Sequence, residues 1–105
     1  MPIPDISHLQ YLLLTALLDG DVSGRQLREL LGGQGHKKSG PAFYQIMARM
    51  EDARLVEGRY VQKLVEGQNV KERWYKITAN GKAAAVDVEQ FYQALATRRL
   101  GFGGA

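Results

Sequence analysis

The sequence contains no cysteine, which excludes disulfides, thiolate metal sites and a cysteine nucleophile. Neither of its two histidines, His8 and His36, has an acidic or second histidine ligand beside it at metal-binding spacing. No apolar run approaches the roughly 18 residues that a membrane-spanning helix needs. Residues 1–5 lack the basic start and small-residue cleavage site of a secretory signal. We therefore expect a cytoplasmic protein with no metal, no cofactor and no membrane partner.

Patterns of catalytic residues are also missing. No serine has a base partner in the sequence, and Asp19, Asp21, Glu51 and Asp52 lie in a predicted turn or on the solvent face of a predicted helix. The glycines of residues 32–35 do not follow a strand and have no P-loop lysine and serine in register. We predict that the protein is not an enzyme.

What the sequence does contain is the average composition of one small globular domain. Its 105 residues are 45% hydrophobic and 24% charged, which is enough for a single modest core. The net charge of +3 is compatible with a polyanionic partner but does not by itself indicate one. The positions of the basic residues therefore say more about function than the net charge does.

Three helices are predicted in the first half of the chain. Ser7 caps the first, in which leucines recur at helical spacing. Ser23 and Gln26 form a capping box at the start of a short second helix over residues 24–31. Ser39 caps the third helix. The inward stripe of this third helix consists of Phe43, Ile46, Met47 and Met50.

A β-hairpin and a long helix are predicted in the second half. Strand-forming residues are concentrated between Val56 and Ile77, and residues 66–69 are the expected hairpin tip. Thr78 caps a last helix over residues 79–99, and residues 100–105 are expected to form a flexible tail.

Three helices followed by a hairpin are the order of a winged helix-turn-helix. We therefore predict a mainly α fold with a small β wing, forming one domain over residues 1–105. Residues 7–78 would be the DNA-binding core with its wing, and residues 79–99 a dimerisation helix.

The third helix is the predicted recognition helix, because the corresponding helix of this fold enters the major groove. With the apolar stripe turned inward, Gln45 and Arg49 face outward, where they suit an adenine edge and a guanine or phosphate. Ser39 and the free N–H groups of the helix start offer an anion site. The predicted DNA contacts in this region are Lys37, Lys38, Ser39, Ala42, Tyr44, Gln45 and Arg49.

The hairpin is the candidate wing, able to reach along a phosphate backbone. Its predicted DNA contacts are Lys63, Gln68, Asn69, Lys71 and Arg73. Glu66 and Glu72 dilute the positive charge, and Glu51 and Asp52 disfavour deep insertion of the end of the third helix. For each of these residues the alternative is an ordinary solvated surface.

The last helix carries more apolar surface than the small body needs. A helix of about 21 residues spans roughly 30 Å, long enough to pair across a two-fold axis. Dimers of this kind bind two half-sites about one turn of DNA apart. The predicted homodimer interface consists of Ala84, Val88, Phe91, Tyr92 and Leu95. The alternative is that this helix folds back on its own core.

The segment 39–44 is followed by Met47, Met50 and Glu51, and then by the segment 55–57. This pattern resembles the recognition helix of PadR-like transcriptional regulators and its lead into the wing. The basic-aromatic segment 73–81 resembles the exit from the wing into a threonine-capped helix. The resemblance covers roughly residues 9–95 and implies a winged-helix regulator without an added C-terminal domain.

The sequence departs from the family pattern at two places. Arg54 stands where the family has a glycine before the leucine, so the exit of the third helix is expected to differ. The glycine-rich loop over residues 32–35 is expected to be mobile without DNA.

Trp74 either lines a pocket for a small-molecule effector, as the resemblance permits, or packs against a neighbouring helix, which is the preferred interpretation.

The sequence thus predicts a homodimer that binds double-stranded DNA sequence-specifically and represses transcription by occlusion. Each recognition helix would enter a major groove, and each wing would follow the phosphates. The main alternative is a winged-helix protein–protein module without DNA contact, which the low net charge and the acidic residues of the third helix favour.

Overall fold

A computed structural model describes residues 4–104, with side chains described through residue 98. The elements are α1 (His8–Ala16), β1 (Val22–Ser23), α2 (Gly24–Gly33), α3 (Gly40–Asp52), β2 (Val56–Val65), β3 (Gln68–Ile77) and α4 (Ala79–Gly104). The strands form an antiparallel sheet in the order β1-β3-β2. The predicted winged helix-turn-helix is confirmed, and β1 adds a short third strand that the sequence analysis did not include.

The starts of α2 and α3 are fixed by serine caps, as predicted. The Ser23 hydroxyl accepts from the Gln26 N–H at 3.2 Å, and the Gln26 side chain accepts from the Ser23 N–H at 3.3 Å. The Ser39 hydroxyl accepts from the Ala42 N–H at 3.2 Å. A cap of this kind stabilises a helix by about 1 kcal/mol, so short helices such as these begin at defined residues.

The end of α2 lies two residues beyond the predicted end at Leu31, because its stop signal is Gly35 rather than the glycines at 32 and 33. Gly35 adopts a φ of 82°, which glycine tolerates. The N–H of His36 then donates to the Leu31 carbonyl at 2.7 Å, closing the helix end with a Schellman motif.

The end of α3 has the same geometry, although the residue concerned is not a glycine. Arg54 adopts a φ of 60°, and its N–H donates to the Glu51 carbonyl at 2.9 Å. The Leu55 N–H donates to the Met50 carbonyl, also at 2.9 Å. Arg54 thus adopts the left-handed conformation that glycine takes most readily at such a helix end.

The core lies between the helices and the base of the sheet. The stripe of α3 is turned inward as predicted, with Phe43, Met47 and Met50 fully buried and Ile46 partly buried at its edge. These side chains meet apolar residues of α1, α2 and the sheet. The other large, fully buried residues are Leu13, Leu14, Leu17, Leu27, Leu31, Val56 and Tyr75.

The wing is a regular two-stranded ribbon with a two-residue turn. Glu66 and Gly67 both have positive φ, 51° and 78°, the geometry of a type I′ hairpin turn. The predicted four-residue tip is therefore too long. Gln68 and Asn69 belong to β3, where they pair with Val65 and Leu64.

The helix α4 begins beside the body and extends well beyond its predicted end at residue 99. It has 26 residues and reaches Gly104, so the helix includes residues 100–104 of the predicted tail; Ala105 lies outside the described residues. Each further residue of an established helix adds a backbone hydrogen bond, which offsets in part the cost of about 1 kcal/mol for each glycine in this segment. Among the helices described, none is both long and apolar enough to cross a membrane.

The projecting helix and wing make the molecule elongated. Its radius of gyration is 16.7 Å, against about 13 Å for a compact domain of this size. Much of α4 and the outer wing therefore lies away from the shared core.

Candidate nucleic-acid interface

The inward apolar stripe of α3 determines which residues face outward, because burial of the apolar side chains leaves the other positions exposed to solvent. Gln45, Ala48 and Arg49 are exposed, and Ala42 is half-buried. The predicted orientation of this helix is thus confirmed.

Tyr44 occupies a fixed position at the edge of this face. Its ring packs edge-on against Phe43, with centroids 5.0 Å apart and planes at 81°. It also lies over the buried backbone of Gly24 at the start of α2. Tyr44 as a whole remains 41% exposed, so a residue predicted to contact phosphate is held by α2 and still reaches solvent.

The loop before α3 is held by an arginine of α2. Arg28 of α2 is half-buried, and its Nη2 donates to the Lys38 carbonyl at 3.2 Å. Lys37 is exposed and Lys38 half-buried, and both stand immediately before the capping Ser39. This contact fixes the two lysines close to the free N–H groups at the start of α3, where an anion is stabilised.

The register of the wing divides its predicted contacts between two faces. Directly paired residues share a face, and successive residues alternate. Lys71, paired with Gln62, and Arg73, paired with Tyr60, lie on one face. Lys63 lies on the other face. Gln68 likewise lies on the face of Lys63, whereas Asn69 lies on the face of Lys71.

The face that carries Lys71 adjoins the recognition helix. A cleft between the wing and α3 is lined by Tyr44, Glu51, Tyr60, Lys71, Arg73 and Tyr75. Tyr60 is 67% exposed in this cleft and was not among the predicted site residues. The hairpin register would have revealed it, since Tyr60 pairs with Arg73.

Arg73 is engaged within the protein. Its Nη2 lies 2.7 Å from Glu51 Oε1, and its guanidinium lies 4.7 Å from the centroid of the Tyr60 ring. Burial alone would lower the pKa of Arg73, but its interactions with Tyr75 and Glu51 outweigh burial and raise that pKa. Burial also raises the pKa of Tyr75 to about 12. Glu51 is thus the partner of Arg73 and not the free negative charge that the sequence alone suggests.

The opposite wing face carries a second small cluster around Trp74. The indole N–H donates to Glu72 Oε2 at 3.2 Å, and Lys63 Nζ lies 3.4 Å from the same oxygen. Lys63 also lies 5.5 Å from the centroid of the indole ring. Trp74 therefore packs within the sheet surface, and Lys63 is compensated by Glu72.

The predicted dimer residues of α4 differ in their surroundings. Val88 is only 4% exposed, and Ala84 is partly buried against the same core. These two face the core of their own protomer because the first half of α4 packs on α1 and β3, which corrects their assignment to an interface. Phe91 is half-buried, whereas Tyr92 and Leu95 are 51% and 38% exposed.

No protein-family model matches the sequence, and no curated protein is similar to it in sequence. The fold is similar to that of a PadR family transcription regulator from Clostridium difficile R20291, with a TM-score of 0.73 and 18% identity over 91% of this chain and 98% of the other. It is similar to a PadR-like transcriptional regulator from Bacillus cereus, with a TM-score of 0.65 and 21% identity over 92% of each chain. Bacillus subtilis PadR, solved in complex with operator DNA, has a TM-score of 0.64 and 21% identity over 77% of this chain and 46% of its own. The predicted resemblance is therefore confirmed in three dimensions: the chain has the winged-helix fold of PadR-family transcriptional regulators.

Proposed function

We propose that this protein is a homodimeric transcriptional regulator that binds double-stranded DNA sequence-specifically and represses by occupying its operator. Residues 7–78 form the DNA-binding core, and α4 forms the dimer contact. The observation that carries the proposal is the continuous surface made by the outer face of α3 and the adjoining wing face. Bacillus subtilis PadR, a protein of similar fold, binds operator DNA.

On this surface, base contacts come from α3. Gln45 and Arg49 are exposed one helical turn apart, so both reach the same groove. Gln45 suits a bidentate pair with adenine, and Arg49 suits guanine or a phosphate. Ala42 and Ala48 are small enough to let the helix backbone approach the bases.

Phosphate contacts come from the two sides of α3. Lys37, Lys38 and Ser39 lie at its start, and Tyr44 lies at its edge. Beyond the cleft, the wing presents Lys71 and Asn69 on the face that adjoins α3. A phosphate backbone that passes between recognition helix and wing meets positive or polar groups on both sides, which fixes the register of the protein on the duplex.

Dimerisation rests on the exposed apolar residues in the second half of α4. Tyr92 and Leu95 are exposed on a helix that continues to Gly104, and the Tyr92 ring also stacks on His8 of α1, with centroids 6.3 Å apart. An isolated helical segment in water is only marginally stable, so a partner helix that covers these residues stabilises both. A two-fold dimer then presents two recognition helices to two half-sites.

The test is binding to duplex DNA of random sequence across a salt series, for the wild type and for Gln45→Ala plus Arg49→Ala. Phosphate contacts release counterions, so log K falls linearly with log salt concentration, with a slope of about −0.9 per contact. The double variant is expected to bind more weakly. A matched control, Lys82→Ala plus Gln90→Ala, removes one positive charge and one amide from exposed positions of α4 and should bind as the wild type does.

A second candidate function is a winged-helix module for protein contacts, and one observation favours it. The outer wing exposes Leu64, Val65 and Val70, with Leu64 74% exposed. Val65 and Val70 share the face of Lys63, and Leu64 lies on the opposite face; exposed apolar residues of this kind on a projecting ribbon suit contact with another protein. Absence of wild-type binding to duplex DNA even at low salt would favour this second function.

A further inference from the structure

We infer that Glu51 and Arg73 form a positioning pair that fixes the wing relative to α3, and that Arg73 is not itself a phosphate contact. The inference rests on the proposed DNA-binding function and reassigns one of its predicted contacts. It concerns three residues on three elements: Glu51 of α3, Gly58 of β2 and Arg73 of β3.

The three residues meet at a single carboxylate oxygen. Glu51 Oε1 accepts from the Gly58 N–H at 3.1 Å and from Arg73 Nη2 at 2.7 Å. Glu51 lies in the last turn of α3, and the two donors belong to the two strands of the wing. One side chain of the recognition helix therefore holds both strands at their base.

Gly58 is required at this point for space. Its backbone does not need the left-handed conformation, because its φ is not among the positive values. A Cβ at Gly58, however, would lie 2.5 Å from Glu51 Oε1 and 2.6 Å from Arg73 Nη2. A side chain there would have to displace the ion pair, so the absence of a side chain at Gly58 leaves the space that Glu51 and Arg73 occupy.

Arg73 has little of its charge or surface left for DNA. Its side chain is 24% exposed, its charge is compensated by Glu51, and Tyr60 lies over its guanidinium. Lys71, on the same wing face, is exposed. Among the described side chains no carboxylate pairs with Lys71, so it is the better phosphate contact of the two.

Two alternative roles of Glu51 predict opposite effects of its removal on DNA affinity. If Glu51 acts only as a negative charge near the DNA, Glu51→Ala strengthens binding, because repulsion of phosphate is lost. If Glu51 holds the wing, Glu51→Ala weakens binding, because the wing no longer stands beside α3. Asp52→Ala is the matched control, since Asp52 is an exposed neighbouring carboxylate that makes no ion pair among the described residues.

The experiment measures duplex binding across a salt series for the wild type, Glu51→Ala, Arg73→Ala, the double variant, Lys71→Ala and Asp52→Ala. We expect Glu51→Ala and Arg73→Ala each to weaken binding by about tenfold, with unchanged salt slope. The double variant should be no weaker than either single variant, because both remove the same contact. Lys71→Ala should reduce the slope by about one, and Asp52→Ala should not weaken binding.

Hydrogen exchange measured without DNA distinguishes a displaced wing from an unfolded protein. In each variant, the hydrogen exchange rate of the Gly58 amide is compared with those of core amides such as Met47. Faster exchange at Gly58 alone, in both Glu51→Ala and Arg73→Ala, supports the positioning role. If the wild type binds DNA but Arg73→Ala lowers the salt slope as Lys71→Ala does, or Glu51→Ala strengthens binding, the inference is wrong and the proposed function stands. If the wild type binds no DNA, the proposed function fails and the inference fails with it.

Discussion

The phenol of Tyr44 on α3 lies against the backbone of Gly24 on α2, so closely that a Cβ at Gly24 would be 2.9 Å from the Tyr44 oxygen. This contact explains why a glycine stands at the first position of α2. It also means that α2 sets the position of an aromatic ring on the proposed DNA surface.

Gly24→Ala is expected to weaken DNA binding several-fold while leaving the free energy of unfolding unchanged or higher. Alanine is favoured over glycine in helices by about 1 kcal/mol, but its methyl group must push the Tyr44 ring aside. Urea unfolding and duplex binding measure the two effects separately. Gly32→Ala, in the same helix with open space around it, should raise stability and leave DNA binding as it is. Equal DNA binding by Gly24→Ala and wild type would show that the position of Tyr44 does not matter.

Arg54→Gly is expected to raise the free energy of unfolding by about 0.5–1 kcal/mol. The left-handed conformation costs an L-residue about 1–2 kcal/mol, and the entropy of glycine in the unfolded chain offsets part of the gain. Arg54→Ala keeps the strained backbone and removes the charge, so it should match the wild type. A gain in stability for alanine as large as that for glycine would assign the effect to the side chain instead.

Gly81→Ala is expected to destabilise the fold by about 2 kcal/mol or more, at the upper part of the usual range for overpacking. Gly81 is buried in the first turn of α4, and a Cβ there would overlap the Leu55 carbonyl oxygen and lie 2.7 Å from Ile77 Cγ1. Thermal unfolding should show the loss. Gly33→Ala, where nothing lies within 4 Å of the added methyl, is the control and should not lower the midpoint.

Leu95→Glu together with Tyr92→Glu is expected to convert the proposed dimer to a monomer and to lower DNA affinity. Both residues are exposed on the same side of α4, and buried carboxylates in an apolar contact are strongly unfavourable. Sedimentation equilibrium reports the mass of each variant. Val86→Glu is the control, because Val86 is 46% exposed but points to the opposite side of α4. If the wild type is monomeric at all concentrations, the proposed dimer is wrong.

The elements of the fold could be predicted from the sequence because each has a local signal. Ser23 with Gln26 and Ser39 mark helix starts, and the stripe of Phe43, Met47 and Met50 has a helical period. These patterns depend on neighbouring residues only, so they survive without tertiary information.

The register of the wing could not be predicted, and the details of the site depend on it. A four-residue tip would pair Tyr60 with Tyr75, whereas the two-residue turn at Glu66 and Gly67 pairs Tyr60 with Arg73. Glutamate is not a typical residue for positive φ, so the turn has a weak sequence signal. Without the register, nothing distinguishes Arg73 from the free basic residues of the wing.

The sequence pattern also could not show which apolar residues of α4 pack on the core of their own protomer and which stay exposed. Val88 and Leu95 fall on one apolar face, and only the packing of α1 shows that Val88 belongs to the core of its own protomer while Leu95 stays exposed. An apolar stripe shows that something covers it, but not which molecule does so.

The most direct test of the central claim is selection of bound sequences from a random duplex library by the wild type and by Gln45→Ala. For the wild type we expect an enriched inverted repeat whose half-sites lie about one turn of DNA apart. In Gln45→Ala, the preference for adenine at one position of each half-site should weaken. Enrichment of no motif by the wild type, or an identical motif for both proteins, would contradict base recognition through α3.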